Sequence, residues 1–392
     1  MKVMSTTDID QLLSRRVAKI LPSKEEFEKL LKTKKRIRLY QGFDPTGGRL
    51  HLGHTIGLRK LMDFARAGHE AIILFGTGTV LVGDPSERDT GRKLITQEEI
   101  DANIKGWKDQ IAPLVDFDLV TIKQNGDWLV PLTLKDIIHI ASNISAIQLF
   151  KRKSFTRRIK QGDTVWYHET MYPLLQGYDS VVLDVDLEIG GTDQEFNMLV
   201  GRELQHKINH RNKFVLTVPM ILGTDGKQMS KTSGNCVWLD DSAEDMFGKI
   251  MSIPDKQIPS YWELLTDLPL KSKSELLTHP FEAKKELAFD ITKQFHGLQA
   301  AKQAQLHFEK TVQNKEIPTN IPEIKLPKTP LSIIEVLKQA NLGVSNSRIK
   351  QVIKQGGVSF NNKRITNPNQ TITPKSGDII KFGKRTFRKV NL

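Results

Sequence analysis

Two histidines three residues apart, in His51-Leu52-Gly53-His54, follow the turn Asp44-Pro45-Thr46-Gly47-Gly48 and open a stretch of helical pattern running to about Ala67. A helix starting at His51 sets both imidazoles on one side of its first turn, where unpaired backbone N–H groups already favour anions. Gly53 between them lets a planar ring such as adenine approach the backbone. Much later comes Gly223-Thr224-Asp225-Gly226-Lys227-Gln228-Met229-Ser230-Lys231-Thr232-Ser233-Gly234-Asn235, a loop of glycines and small hydroxyl residues. Lys227 and Lys231 are cations that such a loop brings onto nucleotide phosphates. Attack on an α-phosphate builds negative charge on the phosphate oxygens and the leaving pyrophosphate, and preplaced donors and lysines stabilise it without a covalent intermediate. Taken singly, the first motif also reads as a surface histidine pair and the second as a solvated lysine loop. Zinc is poorly supported, because no third ligand follows at a convincing spacing.

The elements around these motifs must place them on one scaffold. Arg36 to Phe43 reads as a strand, the turn follows, then the helix, and Ala71-Ile72-Ile73-Leu74-Phe75 between Gly68 and Gly76 reads as a buried parallel strand. Strand, helix, strand argues for an α/β fold of the Rossmann-like, doubly wound type, whose ligands bind at the carboxyl ends of the strands. Residues 241–316 read as a small α-helical domain, and four prolines at 318, 322, 327 and 330 mark a linker over 317–330. The expected organisation is a catalytic domain over 1–240 with an N-terminal helical region, the helical domain, the linker, and an α+β module over 331–392.

Composition narrows the partners. In the last 62 residues, 12 Lys and Arg stand against two acids, Glu335 and Asp378, so that segment carries +10 of the chain's +13. A basic module on a nearly balanced body points to nucleic acid. No apolar run reaches the length of a bilayer span, and Met1-Lys2-Val3-Met4-Ser5 leads into polar residues rather than a signal sequence, so no membrane role is expected. Cys236 is the sole cysteine and forbids an intrachain disulfide, which fits a reducing cytoplasm.

With these motifs in place, the chain resembles the class I aminoacyl-tRNA synthetases: their HIGH signature matches His51 to His54 and their KMSKS signature matches Gln228 to Thr232. More narrowly it is similar to bacterial tyrosyl-tRNA synthetases, through Tyr40-Gln41-Gly42-Phe43-Asp44-Pro45-Thr46, Gly83-Asp84-Pro85-Ser86, Tyr172-Pro173-Leu174-Leu175-Gln176-Gly177-Tyr178-Asp179 and Gly190-Gly191-Thr192-Asp193-Gln194. The C-terminal segment resembles an S4 RNA-binding domain at Ser345 to Gln351 and Lys354 to Val358. The resemblance implies activation of L-tyrosine by ATP, with Mg2+ carried on the nucleotide, transfer to tRNA(Tyr), and a homodimer.

It also implies residue roles. Asp84, Tyr172 and Gln176 would hold the tyrosine ammonium, Asp179 and Tyr40 its phenolic hydroxyl, and Asn125 would order that pocket. Spacing supports the first group: with Pro173 in the first turn of a helix, Tyr172, Gln176 and Asp179 share one face. Asp193 and Gln194 would meet the ribose and the activated carboxyl, with Gly191 allowing close approach. Asp44 would lie near the amino group or the nucleotide, and Thr46 near the pyrophosphate. Met229 joins the nucleotide contacts, and Thr232 joins His51, His54, Thr46 and Lys231 in the catalytic set. Arg88 and Arg92 read as a clamp on pyrophosphate or the tRNA end, or as solvated loop arginines. The run Lys151-Arg152-Lys153, Arg157-Arg158 and Lys160 reads as a guide for the tRNA acceptor arm or as a solvated face. Arg348, Lys350 and Lys354 would contact tRNA phosphates. One departure stands out: the first lysine of the KMSKS pattern is Gln228 here, with Lys227 one place earlier.

Overall fold

The computed structural model describes residues 6–34, 36–84, 95–229, 233–313, 321–340, 342, 344–383 and 386–392. The chain forms two compact units, residues 1–299 and 300–392.

The first unit is built on a six-stranded sheet of β1 (Lys19–Leu21), β2 (Arg38–Phe43), β3 (Glu70–Phe75), β4 (Val120–Gln124), β5 (Leu187–Gly191) and β6 (Phe214–Val218). Its order is β1-β6-β5-β2-β3-β4; five strands run parallel, and β1 adds an antiparallel edge on β6. Helices Leu52–Arg66, Gln97–Ile111 and Glu195–Asn209 make the crossovers from β2 to β3, β3 to β4 and β5 to β6. Covering both faces is what permits the continuous apolar run of β3, where Ala71 to Phe75 are all buried. Strand order reverses between β2 and β5, so the crevice of the fold opens where Gly42-Phe43-Asp44 and Gly190-Gly191 end their strands. That is the crevice the sequence pattern anticipates.

Helices Ala243–Met251, Ile258–Leu265, Lys273–Thr278 and Pro280–Phe308 follow, the last broken at Gly297 (φ 80°). As far as residue 299 they belong to the same compact unit as the sheet rather than to a body of their own. Side chains supply the physical reason. The Arg15 guanidinium donates to the carbonyls of Glu263 (3.0 Å), Thr266 (2.6 Å) and Leu268 (2.9 Å), satisfying acceptors left open at the end of the Ile258–Leu265 helix. Buried Tyr261 donates to the Leu222 carbonyl at 2.6 Å.

Helix Tyr167–Leu183 corrects one local expectation: Pro173 sits well inside it, not in its first turn. The helix begins a turn and a half earlier, where Glu169 accepts from the Trp166 amide at 2.9 Å, and it tolerates the missing Pro173 donor within a packed segment.

The second unit packs helices Ile333–Gln339 and Asn346–Lys354 on a sheet ordered β10-β9-β12-β13-β7, made of β7 (Glu323–Lys325), β9 (Val358–Phe360), β10 (Lys363–Ile365), β12 (Ile379–Phe382) and β13 (Thr386–Asn391). A separate pair joins β8 (Leu331–Ser332) and β11 (Thr371–Ile372). Ile333, Val336, Leu337, Ile349 and Ile353 fill its core. The proline-rich stretch is therefore not linker throughout. β7 runs parallel to β13, and Ile324 and Leu326 enter the core, because prolines at 322 and 327 flank rather than interrupt the pairing residues.

Candidate active site

The Leu52–Arg66 helix is capped by its own histidines. His51 Nδ1 accepts from the Gly53 amide at 3.2 Å and His54 Nδ1 accepts from the His51 amide at 3.1 Å, with the ring centroids 3.9 Å apart. With its Nδ1 accepting, His51 carries its ring proton on Nε2, a donor suited to phosphate oxygens, whereas His54 Nδ1 also stands 3.2 Å from the His51 carbonyl and fits either tautomer. A Cβ built on Gly53 would stand 3.0 Å from the His51 ring, so glycine is what lets that ring fold back onto the Gly53 amide.

The segment after the second motif lies directly beside this cap. Leu52 N donates to Val237 O at 3.0 Å and Leu239 N to Leu50 O at 2.8 Å. Arg49 stacks over Trp238, 4.7 Å from the ring centroid. Asn235 pins the preceding turn, donating to Asp225 (2.8 Å) and to the Gln228 carbonyl (2.9 Å) and accepting through its own carbonyl from Thr224 N (3.0 Å). Met229 is buried, while Lys227 and Gln228 are exposed. Lys231, Thr232, Arg88 and Arg92 lie outside the described residues.

The loop carrying Asp44 and Thr46 is clamped by one face of the Gln97–Ile111 helix. Asn103 donates to the Pro45 carbonyl (2.8 Å), Trp107 to Gly47 (2.7 Å) and Gln110 to Gly48 (2.8 Å), at helical spacings of four and three. Asp44 is turned the other way: Tyr172 Oη donates to its Oδ2 at 3.0 Å and Thr79 Oγ1 to its Oδ1 at 2.7 Å. A side chain on Gly76 would overlap this carboxylate at 1.9 Å.

Tyr172, Gln176 and Asp179 do share a helix face towards the crevice. Burial, then the charges of Asp44 and Asp84, push the Tyr172 phenol well above its ordinary value, so it remains a donor. Gln176 Nε2 reaches Glu188 at 3.5 Å, and its Oε1, closed off from solvent, has no protein partner. Asp84 accepts from Arg152 (2.7 Å) and from Gln194 Nε2 (2.8 Å), and Gln194 also donates to Asp193 (3.0 Å) and accepts from Asn197 (2.9 Å). Gly191 faces the Asp193 carboxylate, which a side chain there would strike at 2.3 Å. Tyr172 thus stands between two carboxylates, Asp44, which accepts its proton, and Asp84, whose charge also reaches it, with Gln176 one helical turn further along the same face.

Deeper in, Asp179 accepts from Asn125 (3.0 Å) and Trp128 Nε1 (2.9 Å), and burial drives its carboxyl well above the usual aspartate range. Asn125 is itself fixed by accepting from Gly78 N at 2.7 Å. Tyr40, fully buried, bonds Ser180 Oγ at 2.9 Å. A methyl group on Gly42 would meet nothing within 4 Å, so space opens beside these groups at the end of β2.

The basic run at 151–160 divides. Arg152 and Arg158 are buried and bound to Asp84 and Glu169, so neither is part of a solvated face or of an exposed RNA guide; Lys151, Lys153, Arg157 and Lys160 are exposed. Sequence reasoning also missed Thr79, Trp128, Ser180, Glu188 and Lys213, whose partners come from distant parts of the chain. Only the clamp on the loop, Asn103, Trp107 and Gln110, carried a periodic signal. On the second unit, Arg348, Lys350 and Lys354 lie on the exposed face of a helix whose Ile349, Val352 and Ile353 are buried.

Comparison with known proteins agrees with this geometry. Residues 32–313 match the family model of tRNA synthetases class I (W and Y), and residues 333–380 match the S4 domain. The chain is 38% identical to the tyrosine–tRNA ligase of Dehalococcoides mccartyi, covering 97% of itself and 98% of that protein. It is also 38% identical to the Thermotoga maritima tyrosine–tRNA ligase, covering 97% and 96%. Its fold is similar to that of a tyrosyl-tRNA synthetase from Archaeoglobus fulgidus complexed with L-tyrosine (TM-score 0.61, 24% identity, 77% of this chain and 100% of that one). A C-terminally truncated mitochondrial tyrosyl-tRNA synthetase from Aspergillus nidulans gives a TM-score of 0.66 at 21% identity, covering 78% and 94%. With near-complete coverage at this identity, the chain belongs to the class I tRNA synthetases (W and Y), among the tyrosine–tRNA ligases.

Proposed function

We propose that the protein activates L-tyrosine with ATP, releasing pyrophosphate, and then transfers the tyrosyl group to tRNA(Tyr). The observation that supports this reading is the grouping of Asp44 and Asp84 about Tyr172, on the helix that also carries Gln176 and the buried Asp179. An amino acid bound there has its ammonium on the acceptors and its side-chain hydroxyl on Asp179 and Tyr40. Its carboxylate then faces the Gly191–Gln194 turn and the capped helix at His51. The carboxylate oxygen attacks the α-phosphorus of ATP, the bond to the β-phosphate oxygen breaks, and pyrophosphate leaves. His51, His54, Thr46 and Lys231 bind the charge that develops, and Asp193 and Gly191 seat the nucleoside. Mg2+ arrives with ATP and offsets phosphate charge; carboxylates beside a nucleotide suit that role without a dedicated protein cage.

Arg348, Lys350 and Lys354 hold tRNA phosphates, and the enzyme works in the cytoplasm. It is a homodimer, a reading supported by the exposed apolar side chains Leu134, Ile138, Ile147 and Tyr167, which stand in one stretch of chain. Labelled pyrophosphate should enter ATP only when tyrosine is present. In Lys231→Ala that exchange should be lost while tRNA binding is retained. Retention of full exchange in Lys231→Ala would remove that lysine from the mechanism.

A further inference from the structure

The two buried arginines of the 151–160 run are of different kinds. Arg158 serves its own neighbourhood: Nη1 donates to Glu169 at 3.0 Å and Nη2 to the Thr164 carbonyl, 11 and 6 positions away. Arg152, at the head of the Lys153–Gln161 helix and 4% exposed, reaches instead across 68 positions to Asp84, just past the short helix Thr79–Val82 that follows β3. Among the described residues, the 2.7 Å bond from Nη2 to Asp84 Oδ1 is the one hydrogen bond its side chain makes, and Nη1 is closed off from solvent without a partner. A buried guanidinium with an unmet donor is costly to the fold. What this arginine fixes is Asp84.

Asp84 is held by both of its oxygens. Oδ2 accepts from Gln194 Nε2 at 2.8 Å, and the same nitrogen donates to Asp193 at 3.0 Å while Gln194 Oε1 accepts from Asn197 at 2.9 Å. One grip therefore comes from the turn after β5 and the helix that follows it, and the other from Arg152. The carboxylate between them is 18% exposed, so it is fixed without being sealed off. The guanidinium stands at the same end of the site as Tyr172, whose phenol feels its charge together with those of Asp44 and Asp84.

We propose that Arg152 is a positioning residue for amino acid binding: it fixes the Asp84 carboxylate where the substrate ammonium binds, and it acts only through Asp84. The inference rests on the tyrosine reading above, in which Asp84 is an ammonium ligand. Removing the guanidinium has two effects of opposite sign. It leaves more negative charge near the ammonium, an attraction that solvent screens at a partly exposed carboxylate. It also frees the carboxylate to turn away, and a charged hydrogen bond that loses its geometry is lost outright. The loss of orientation outweighs the gain in attraction.

The test measures KM for tyrosine and for ATP in pyrophosphate exchange, and inhibition of that exchange by tyramine, which keeps the ammonium, and by 3-(4-hydroxyphenyl)propionate, which lacks it. Arg152→Met should raise KM for tyrosine and the inhibition constant of tyramine about tenfold, with KM for ATP and the inhibition constant of the propionate within about twofold. Arg152→Lys should recover most of the loss, because the contact is made through one nitrogen. In an Asp84→Asn background, adding Arg152→Met should change KM for tyrosine by less than about twofold, since a residue acting only through Asp84 then has nothing to act on. An unchanged KM for tyrosine, tighter tyramine binding, or equal weakening of both analogues in Arg152→Met overturns the inference. If that variant does not fold, the charge-balanced Asp84→Asn/Arg152→Met decides alone: a further loss beyond that of Asp84→Asn overturns it. Wild-type protein with no tyrosine-dependent exchange defeats the functional reading itself, whereas exchange with these constants unmoved defeats only the role of Arg152.

Discussion

The Tyr172 hydroxyl orients Asp44 at 3.0 Å, and in the proposed function it also faces the substrate ammonium. Hydrogen bonds to charged groups are worth about 1.5 to 3 kcal/mol. Tyr172→Phe should therefore raise KM for tyrosine by about tenfold or more and leave KM for ATP within about twofold, as read from exchange rates at varied substrate. The phenol, Gln176 and Asp179 were legible in the sequence because helical spacing alone sets them on one face. Arg152 was not, since its partner Asp84 lies 68 positions away and nothing local separates it from the exposed lysines beside it. The same holds for Glu188 and Lys213. A buried carboxylate in the apolar run Leu187-Glu188-Ile189 gives no hint of a lysine supplied by another strand.

At the scale of elements, the site depends on close approaches between loop and strand. Gly76 ends the β3 run directly under Asp44, and Gly76→Ala must displace that carboxylate and with it the bonds from Tyr172 and Thr79. We expect a loss of at least tenfold in kcat/KM for tyrosine with the thermal midpoint lowered by only a few degrees, on the order of a 1 kcal/mol change. Asp186, just before β5, ties the sheet to its flanks. Burial pushes its carboxyl up, but Lys34, the Arg38 amide and Arg211 more than offset this and hold it below the usual aspartate range. A lowered folded-state value means that the ionised form is favoured by folding. Its contribution is full above the ordinary aspartate range and is lost as pH falls through the lowered value. Asp186→Asn should destabilise the protein by about 1 to 3 kcal/mol at neutral pH, with the difference from wild type shrinking in acid, as urea titrations at several pH values would show. Strands β2 and β3 and the helix after His51 could be read from alternation, turn residues and period. The buried position of Pro173 and the strand β7 could not, because in each case tertiary packing overrides what proline alone suggests.

For the whole molecule, charge and chemistry are carried by different parts. The basic C-terminal unit should set tRNA affinity and its salt dependence without touching amino acid activation. Replacing Arg348, Lys350 and Lys354 together by alanine should weaken tRNA binding, flatten the slope of affinity against salt, and leave tyrosine-dependent exchange at wild-type rates. The exposed apolar residues of 134–167 lead to a second expectation: Leu134→Asp/Ile138→Asp should move the protein from dimer to monomer in sedimentation. The family was legible from the two motifs and the stretches around Tyr40, Tyr172 and Asp193. The most direct test of the account is exchange of labelled pyrophosphate into ATP by the pure protein with tyrosine, tryptophan or phenylalanine supplied separately. Strong exchange with tyrosine and none above background with the other two is the predicted result. Exchange supported by tryptophan, or by no amino acid at all, would contradict it.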